Sequence, residues 1–222
     1  MCGRFTREYS WQQVHAFSAA FSLWFPSRQP APAYNVAPTQ STWAILRDPD
    51  NTEVLRELRW GLIPAWSKDL KIAYSTINAR IETVASKPAF RGAWKQRRCL
   101  IPASGYYEWP GAGGHKQPYY IHPVQAPLLM FGAIWERWSP GDSPPLETFS
   151  IVTTPAAGNI EGLHDRMPLM LPPELLADWI RGTPAQAAEL AHAAPIPALA
   201  FHPVRAAVGN VRNQGRELIE RV

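Results

Sequence analysis

The sequence predicts an α+β fold: one domain over residues 1–222, built on a mostly antiparallel, barrel-like β-sheet with a few peripheral helices. Three observations point there. Proline fills 23 of 222 positions, against a usual share of about 5%. It lacks an amide donor and holds φ fixed, so elements should be short and ordered loops many. Successive β-branched or aromatic segments are punctuated by Gly and Pro, whereas helical periodicity is confined to a few stretches. With 46% apolar and 18% charged residues, the chain can bury one core of its own. No repeat, low-complexity linker or charge block divides it.

The elements follow in order. Trp11, Val14, Phe17 and Phe21 recur at helical spacing, which predicts a first helix from Glu8 to about Phe21. Pro26, Pro30 and Pro32 then impose a loop as far as Ala37-Pro38. Thr42 to Leu46 and Val54 to Trp60 read as strands joined by a turn at Asp48-Pro49-Asp50-Asn51. After Gly61 comes an aromatic-rich loop ending in Ser75-Thr76-Ile77-Asn78. Arg98 to Ile101, Gly105 to Trp109, Pro118 to His122, Leu128 to Trp138 and Thr148 to Thr153 are further strands, with Gly111 to Gly114 as a hairpin tip. Pro173 to Arg181 opens as a helix with proline in its first turn, and Pro184 to Ala193 reads as another. An extended piece around Phe201 to Val204 precedes a closing loop with Gly209-Asn210 and Asn213-Gln214-Gly215.

Composition narrows the function classes. A net charge of +4 permits an anionic partner without requiring one. Ten tryptophans are a heavy loading for one small domain; most are expected in the core, with some available to stack on bases. Two cysteines, Cys2 and Cys99, make neither a disulfide framework nor a zinc-ligand pattern, so no metal or cofactor and a reducing cytoplasmic setting are expected. The longest apolar run, Leu128 to Trp135, is far short of the ~20 residues that span a bilayer. Ala16 to Phe25 faintly imitates a signal-peptide core, but Glu8 lies where its positive leader should be.

Cys2 carries the most chemical information. Removing Met1 requires a small second residue, which cysteine is. Cys2 would then offer an α-amine and a thiol on adjacent carbons. An aldehyde condenses with such an amine to an imine, and the thiol closes a five-membered thiazolidine on the imine carbon. Cys99 cannot do this, because its nitrogen is an amide. A free α-amine titrates at about 7.7–8.0, so a useful fraction is nucleophilic near neutrality. From position alone, a buried small hydrophobe at a tucked-in terminus is the favoured account.

The blocks around Cys2 weigh in its favour. Met1-Cys2-Gly3-Arg4-Phe5, Tyr34-Asn35-Val36-Ala37-Pro38, Arg59-Trp60-Gly61-Leu62-Ile63-Pro64 and Ile77-Asn78-Ala79-Arg80-Ile81-Glu82-Thr83 resemble the SRAP (SOS-response-associated peptidase) family. So do Arg97-Arg98-Cys99-Leu100-Ile101-Pro102, Gly105-Tyr106-Tyr107-Glu108-Trp109, Leu163-His164-Asp165-Arg166-Met167-Pro168 and Val208-Gly209-Asn210-Val211. They fall in family order along almost the whole chain. The resemblance implies a protein that shields abasic sites in single-stranded DNA by bonding covalently to them, through a positively charged groove that leads to the N-terminus. It implies Cys2 as nucleophile and Asn78, Glu108 and His164 as catalytic neighbours.

Chemistry supplies a task for each. Opening the closed sugar and dehydrating the carbinolamine both need a positioned proton donor and acceptor. Glu108 sits among Tyr106, Tyr107 and Trp109, a setting that would raise its pKa; the alternative is a strand carboxylate facing water. His164 titrates near neutrality in its ordinary state, although a lone histidine is often only a hydrogen-bonding fixture, as expected of His122 and His202. Asn78 can hold an amine or sugar hydroxyl in place, or be a plain turn residue. Arg4, Arg80 and Arg166 suit bidentate phosphate contacts, against salt bridges to Glu82 or Asp165. Trp66 and Trp109 are candidate stacking platforms, against core packing. Some SRAP relatives carry an arginine where this chain has Pro88, which transfers the phosphate contact there to Lys87 or Arg91.

The leading expectation is therefore a monomeric protein of the bacterial cytoplasm, nucleoid-associated when bound to DNA, that captures abasic single strands. A weak strand-cleaving lyase activity would branch from the same imine. Two alternatives stay open: a cysteine peptidase using Cys2, Glu108 and His164, and a noncovalent single-strand binder.

Overall fold

Two β-sheets share the core of this computed structural model, which describes residues 2–111, 116–139, 141 and 144–222. In chain order the strands are β1 (Phe5–Arg7), β2 (Ala33–Val36), β3 (Ser41–Arg47), β4 (Glu53–Trp60), β5 (Asn78–Arg80) and β6 (Arg98–Ala103). They continue with β7 (Gly105–Glu108), β8 (Tyr119–Pro123), β9 (Leu129–Trp138), β10 (Leu146–Pro155), β11 (Arg166–Pro168) and β12 (Leu199–Pro203). The α-helices are α1 (Trp11–Phe17), α2 (Arg91–Gln96), α3 (Leu176–Arg181) and α4 (Pro184–Ala193). One sheet has five strands in the order β12-β8-β7-β1-β2. In the other, β10, β4, β3, β6 and β9 pair in succession and β9 returns to β10, so these strands close into a barrel.

Closing five strands has a topological consequence. Each antiparallel pairing reverses direction, and five reversals cannot return to the start, so at least one pair must be parallel. That pair is β10–β4, with Thr148 opposite Arg59; the other four are antiparallel. β5 also runs parallel to β10, with Ile151 opposite Asn78. The α+β, mostly antiparallel barrel expected from the sequence is what forms.

Both faces of β9 are covered over most of its length, which explains its nearly unbroken apolar run. On β9, Leu129, Phe131, Ala133 and Trp135 join Phe5, Val36, Tyr106 and Ile121 of the second sheet. Met130 and Ile134 between them join Trp11 and Val14 of α1, Trp94 of α2, Trp179 of α3 and Ala187 of α4. Trp11, Trp60, Trp94, Trp135, Trp138 and Trp179 are buried, so most of the ten indoles serve the core.

Several boundaries differ from the sequence reading. The first helix covers Trp11–Phe17 rather than Glu8 to Phe21, because Ser10 and Gln13 close a capping box at its start and Ser18 ends it with a hydroxyl bond to Val14 O. β2 begins directly after Pro32, inside a segment expected to be loop throughout. α2 buries only Ala93 and Trp94, too few apolar positions for periodicity to announce it. Pro102 lies within β6 because the ladder to β3 ends at Leu100, so no partner there needs its missing N–H. Leu70–Tyr74 forms a 3-10 helix within the expected loop, and Asn78 opens β5 rather than a turn. β7 and β8 pair as a hairpin, but residues 112–114 of its expected tip lie outside the described residues.

Candidate functional site

The site gathers where the second sheet meets one end of β10. Cys2 precedes β1, and β1 pairs with β7 at Phe5 and Tyr106. Tyr107 N donates to Arg4 O at 3.0 Å, extending that pairing toward Glu108, the last residue of β7. Gly105 starts β7 where a Cβ would stand 2.5 Å from the Tyr120 hydroxyl oxygen, so only glycine admits this approach. Asn78 is placed from the barrel side. Trp60 Nε1 donates to Ile77 O at 2.9 Å, Ile151 N to Ile77 O at 3.1 Å, and Ile81 N to Thr153 O at 3.0 Å. The segment therefore lies against β10. His164 stands in the turn between β10 and β11, its amide donating to Ile160 O at 3.2 Å. Asn78 and His164 thus approach from two segments that both pack on β10.

A hydrogen bond joins the two sides: Asn78 Nδ2 donates to Cys2 O at 2.8 Å. It holds the backbone of Cys2 itself, and Asn78 Oδ1 is buried without a hydrogen-bond partner among the described residues. Cys2 has no exposed surface and shares a cluster with Phe5, Tyr106 and Trp60. Burial, then the charge of Glu108, push its thiol well above the usual range, so near neutrality it is protonated. Its Sγ is 3.9 Å from Arg4 O.

Glu108 is only 3% exposed. Burial pushes its carboxyl up to about 7; Asp165 adds to this and the Trp109 amide opposes it. A carboxyl at that value divides between acid and base at neutral pH, which suits proton transfer in both directions. Burial holds His164 below its ordinary value, while Asp165 pulls it up and Lys116 pushes it down. His164 Nδ1 lies 2.9 Å from the Arg166 amide nitrogen and 2.7 Å from Asp165 Oδ1. The first contact needs a lone pair on Nδ1 and the second a proton. The two contacts are therefore alternatives, chosen by whether Nδ1 carries a hydrogen.

The arginines divide. Arg166 is buried and donates to both Glu82 carboxylate oxygens at 2.5 and 2.9 Å and to Thr153 O at 2.6 Å. Arg4 donates to Asn35 Oδ1 at 2.8 Å, Val208 O at 2.9 Å and Gly209 O at 3.3 Å, locking the C-terminal segment beside the N-terminus. Arg80, Lys87 and Arg91 are exposed. Trp66 is 61% exposed, with Nε1 3.5 Å from Pro88 O, which sets the loop after Gly61 against the Lys87 segment. Trp109 is half-buried on Tyr107, ring centroids 6.3 Å apart. Sequence reasoning missed Asp165 and Lys116 as electrostatic neighbours of His164, and Tyr74, 71% exposed in the same loop as Trp66. Only Asp165 had a signal, its adjacency to His164. His122 and His202 hydrogen-bond Pro123 O and Ile219 O at 3.1 and 2.8 Å. Among the described residues no three His, Cys, Asp or Glu side chains are arranged to hold a metal, and no helix is long and apolar enough to cross a membrane.

Fold and site together define an α+β barrel protein whose second residue, a cysteine, is buried, held through its carbonyl by a carboxamide and lies within electrostatic reach of a buried carboxyl. The family model described as SOS response associated peptidase (SRAP) matches residues 1–211. The chain belongs to the SRAP family. It is 40% identical over 181 residues to the abasic site processing protein YoaM of Bacillus subtilis, covering 81% of this chain and 79% of that one. It is 35% identical over 229 residues to the abasic site processing protein YedK of Escherichia coli, with full coverage of both. Among solved structures, a Bacteroides thetaiotaomicron protein superposes with a TM-score of 0.75 at 27% identity, covering 86% of this chain and 85% of that one.

Proposed function

We propose that this protein captures abasic sites in single-stranded DNA by forming a thiazolidine between Cys2 and the ring-opened sugar aldehyde, after Met1 is removed. The observation that carries the reading is the anchoring of Cys2: Asn78 holds its carbonyl at 2.8 Å, beside a carboxyl that titrates near 7. The relatives' shared description as abasic site processing proteins supports the choice of lesion.

Each residue then has a step. The Cys2 amine attacks the aldehyde carbon, and Glu108 in its acid form protonates the hydroxyl that leaves as water. Asn78 restrains the terminus so that amine and aldehyde meet in one orientation. His164 exchanges a proton through Nε2 as the sugar opens. A protonated thiol leaves the amine to act first, which is the order that thiazolidine formation requires. Arg80, Lys87 and Arg91 hold phosphates and Trp66 stacks on a base, while Arg4 and Arg166 brace the frame and add positive potential. Trp109 lines the approach. A slow β-elimination from the imine is the side reaction that ring closure suppresses.

The peptidase alternative rests on the family description. Against it stands the thiol, raised by burial, where cysteine nucleophiles of that class are held low. The noncovalent alternative predicts equal binding of intact and abasic strands. Denaturing gels with an abasic single-stranded oligonucleotide separate capture from both alternatives, because neither gives a covalent band, and turnover of an added peptide separates the peptidase from the binder. Cys2→Ala should lose the stable adduct yet keep a borohydride-trappable imine through its own terminal amine. A stable adduct undiminished in that variant removes Cys2 from the mechanism.

A further inference from the structure

We propose that the Tyr106 hydroxyl is a further working group of this site, donating a hydrogen bond to the Cys2 sulfur as the thiazolidine closes; the proposal rests on the capture reading above. Tyr106 has no exposed surface, and its hydroxyl lacks a hydrogen-bond partner among the described residues. Its neighbours are treated differently. Tyr107 donates to Tyr34 O at 2.7 Å, and the Tyr120 hydroxyl lies 3.0 Å from Thr6 Oγ1. A buried phenol left unsatisfied costs stability, so a partner that arises only during reaction would explain it.

Position names that partner. Tyr106 belongs to the same buried cluster as Cys2, and strand alternation sets it on the face of β7 that Glu108 shares. Its ring is held by Phe131, edge-on with centroids 6.1 Å apart, so the hydroxyl has little freedom to turn elsewhere. Burial first, then the charges of Cys2 and Glu108, keep this phenol protonated well above its ordinary range, and hence a donor.

The closing step balances as follows. The Cys2 thiol gives its proton to the Glu108 carboxylate, and Sγ bonds to the imine carbon. The C=N π pair moves to nitrogen, and nitrogen takes the proton from Glu108. Nothing is oxidised or reduced. Negative charge builds on sulfur while its proton departs, and a fixed donor is worth most at that moment.

Tyr106→Phe keeps the ring and removes only the hydroxyl. With the full chain, Met1 removed, and an abasic single-stranded oligonucleotide, early imine is trapped with borohydride and stable adduct is timed without it. Imine should form at the parent rate, and stable adduct about ten- to a hundredfold more slowly. The melting temperature should not fall, because the lost hydroxyl had no partner to lose. Closure at the parent rate overturns the proposal, and so does a lowered melting temperature, which would mean the hydroxyl has a structural partner. A parent chain that forms no stable adduct overturns the capture reading as well.

Discussion

Replacing Glu108 with glutamine separates what this site costs the fold from what it does. The carboxyl rises from an ordinary 4.5 to about 7, chiefly through burial. That gap corresponds to about 3 kcal/mol of differential interaction between the two protonation states. Below pH 4.5 the folded and unfolded chains both hold the proton, and Glu108 has no effect on the balance. Between 4.5 and 7 the unfolded chain releases it while the folded chain keeps it, so stability falls as pH rises. Above 7 both are ionised and the whole penalty of about 3 kcal/mol stands. A carboxamide in its place never ionises. Glu108→Gln should therefore match the parent near pH 4.5 and exceed it by about 3 kcal/mol at pH 8, or about 6–12 °C in melting temperature. Urea unfolding of both proteins at pH 5, 6, 7 and 8 measures this, with adduct formation assayed alongside and expected to be lost. Parallel stability curves across that range would refute the reasoning, because a carboxyl that titrates normally cannot divide its proton near neutrality.

The other predictions concern the frame and the strand-holding face. Arg166→Met strands Glu82, whose side chain keeps 41% exposure and so recovers some hydration; the loss should be about 2 kcal/mol by urea unfolding, below the figure for a fully buried pair. Trp66→Ala should weaken binding to an undamaged single strand by about 1–3 kcal/mol in fluorescence anisotropy. At 61% exposure Trp66 contributes little to the core, so the variant's melting temperature should stay at the parent value.

Local chemistry makes much of the fold readable. The strand read from Leu128 to Trp138 falls within one residue of β9, because a run buried on both faces stays apolar from Leu129 to Trp135. The Pro184 to Ala193 helix agrees at both ends, Thr183 and Gln186 forming the cap that its opening announces. α2 and β5 leave no such trace, for the opposite reason. Each is short, and each exists through what it packs on: Trp94 against Trp179, and Asn78 to Arg80 along β10. The arginines are ambiguous in the same way. Nothing near Arg166 in the chain distinguishes a phosphate ligand from the partner of Glu82, 84 positions away.

By itself the sequence determined most of the longer elements, that the chain is an SRAP protein, and that Cys2, unlike Cys99, could offer amine and thiol together once Met1 is gone. These are properties of composition, periodicity and order along the chain. Only the tertiary structure decided that Asn78 reaches back 76 positions to hold Cys2, that the barrel closes with one parallel seam, that Arg4 and Arg166 hydrogen-bond within the protein, and that the buried Tyr106 hydroxyl has no hydrogen-bond partner among the described residues. Partners so distant in sequence are selected by the closing of the sheets and by burial, and neither leaves a mark on the residues next door.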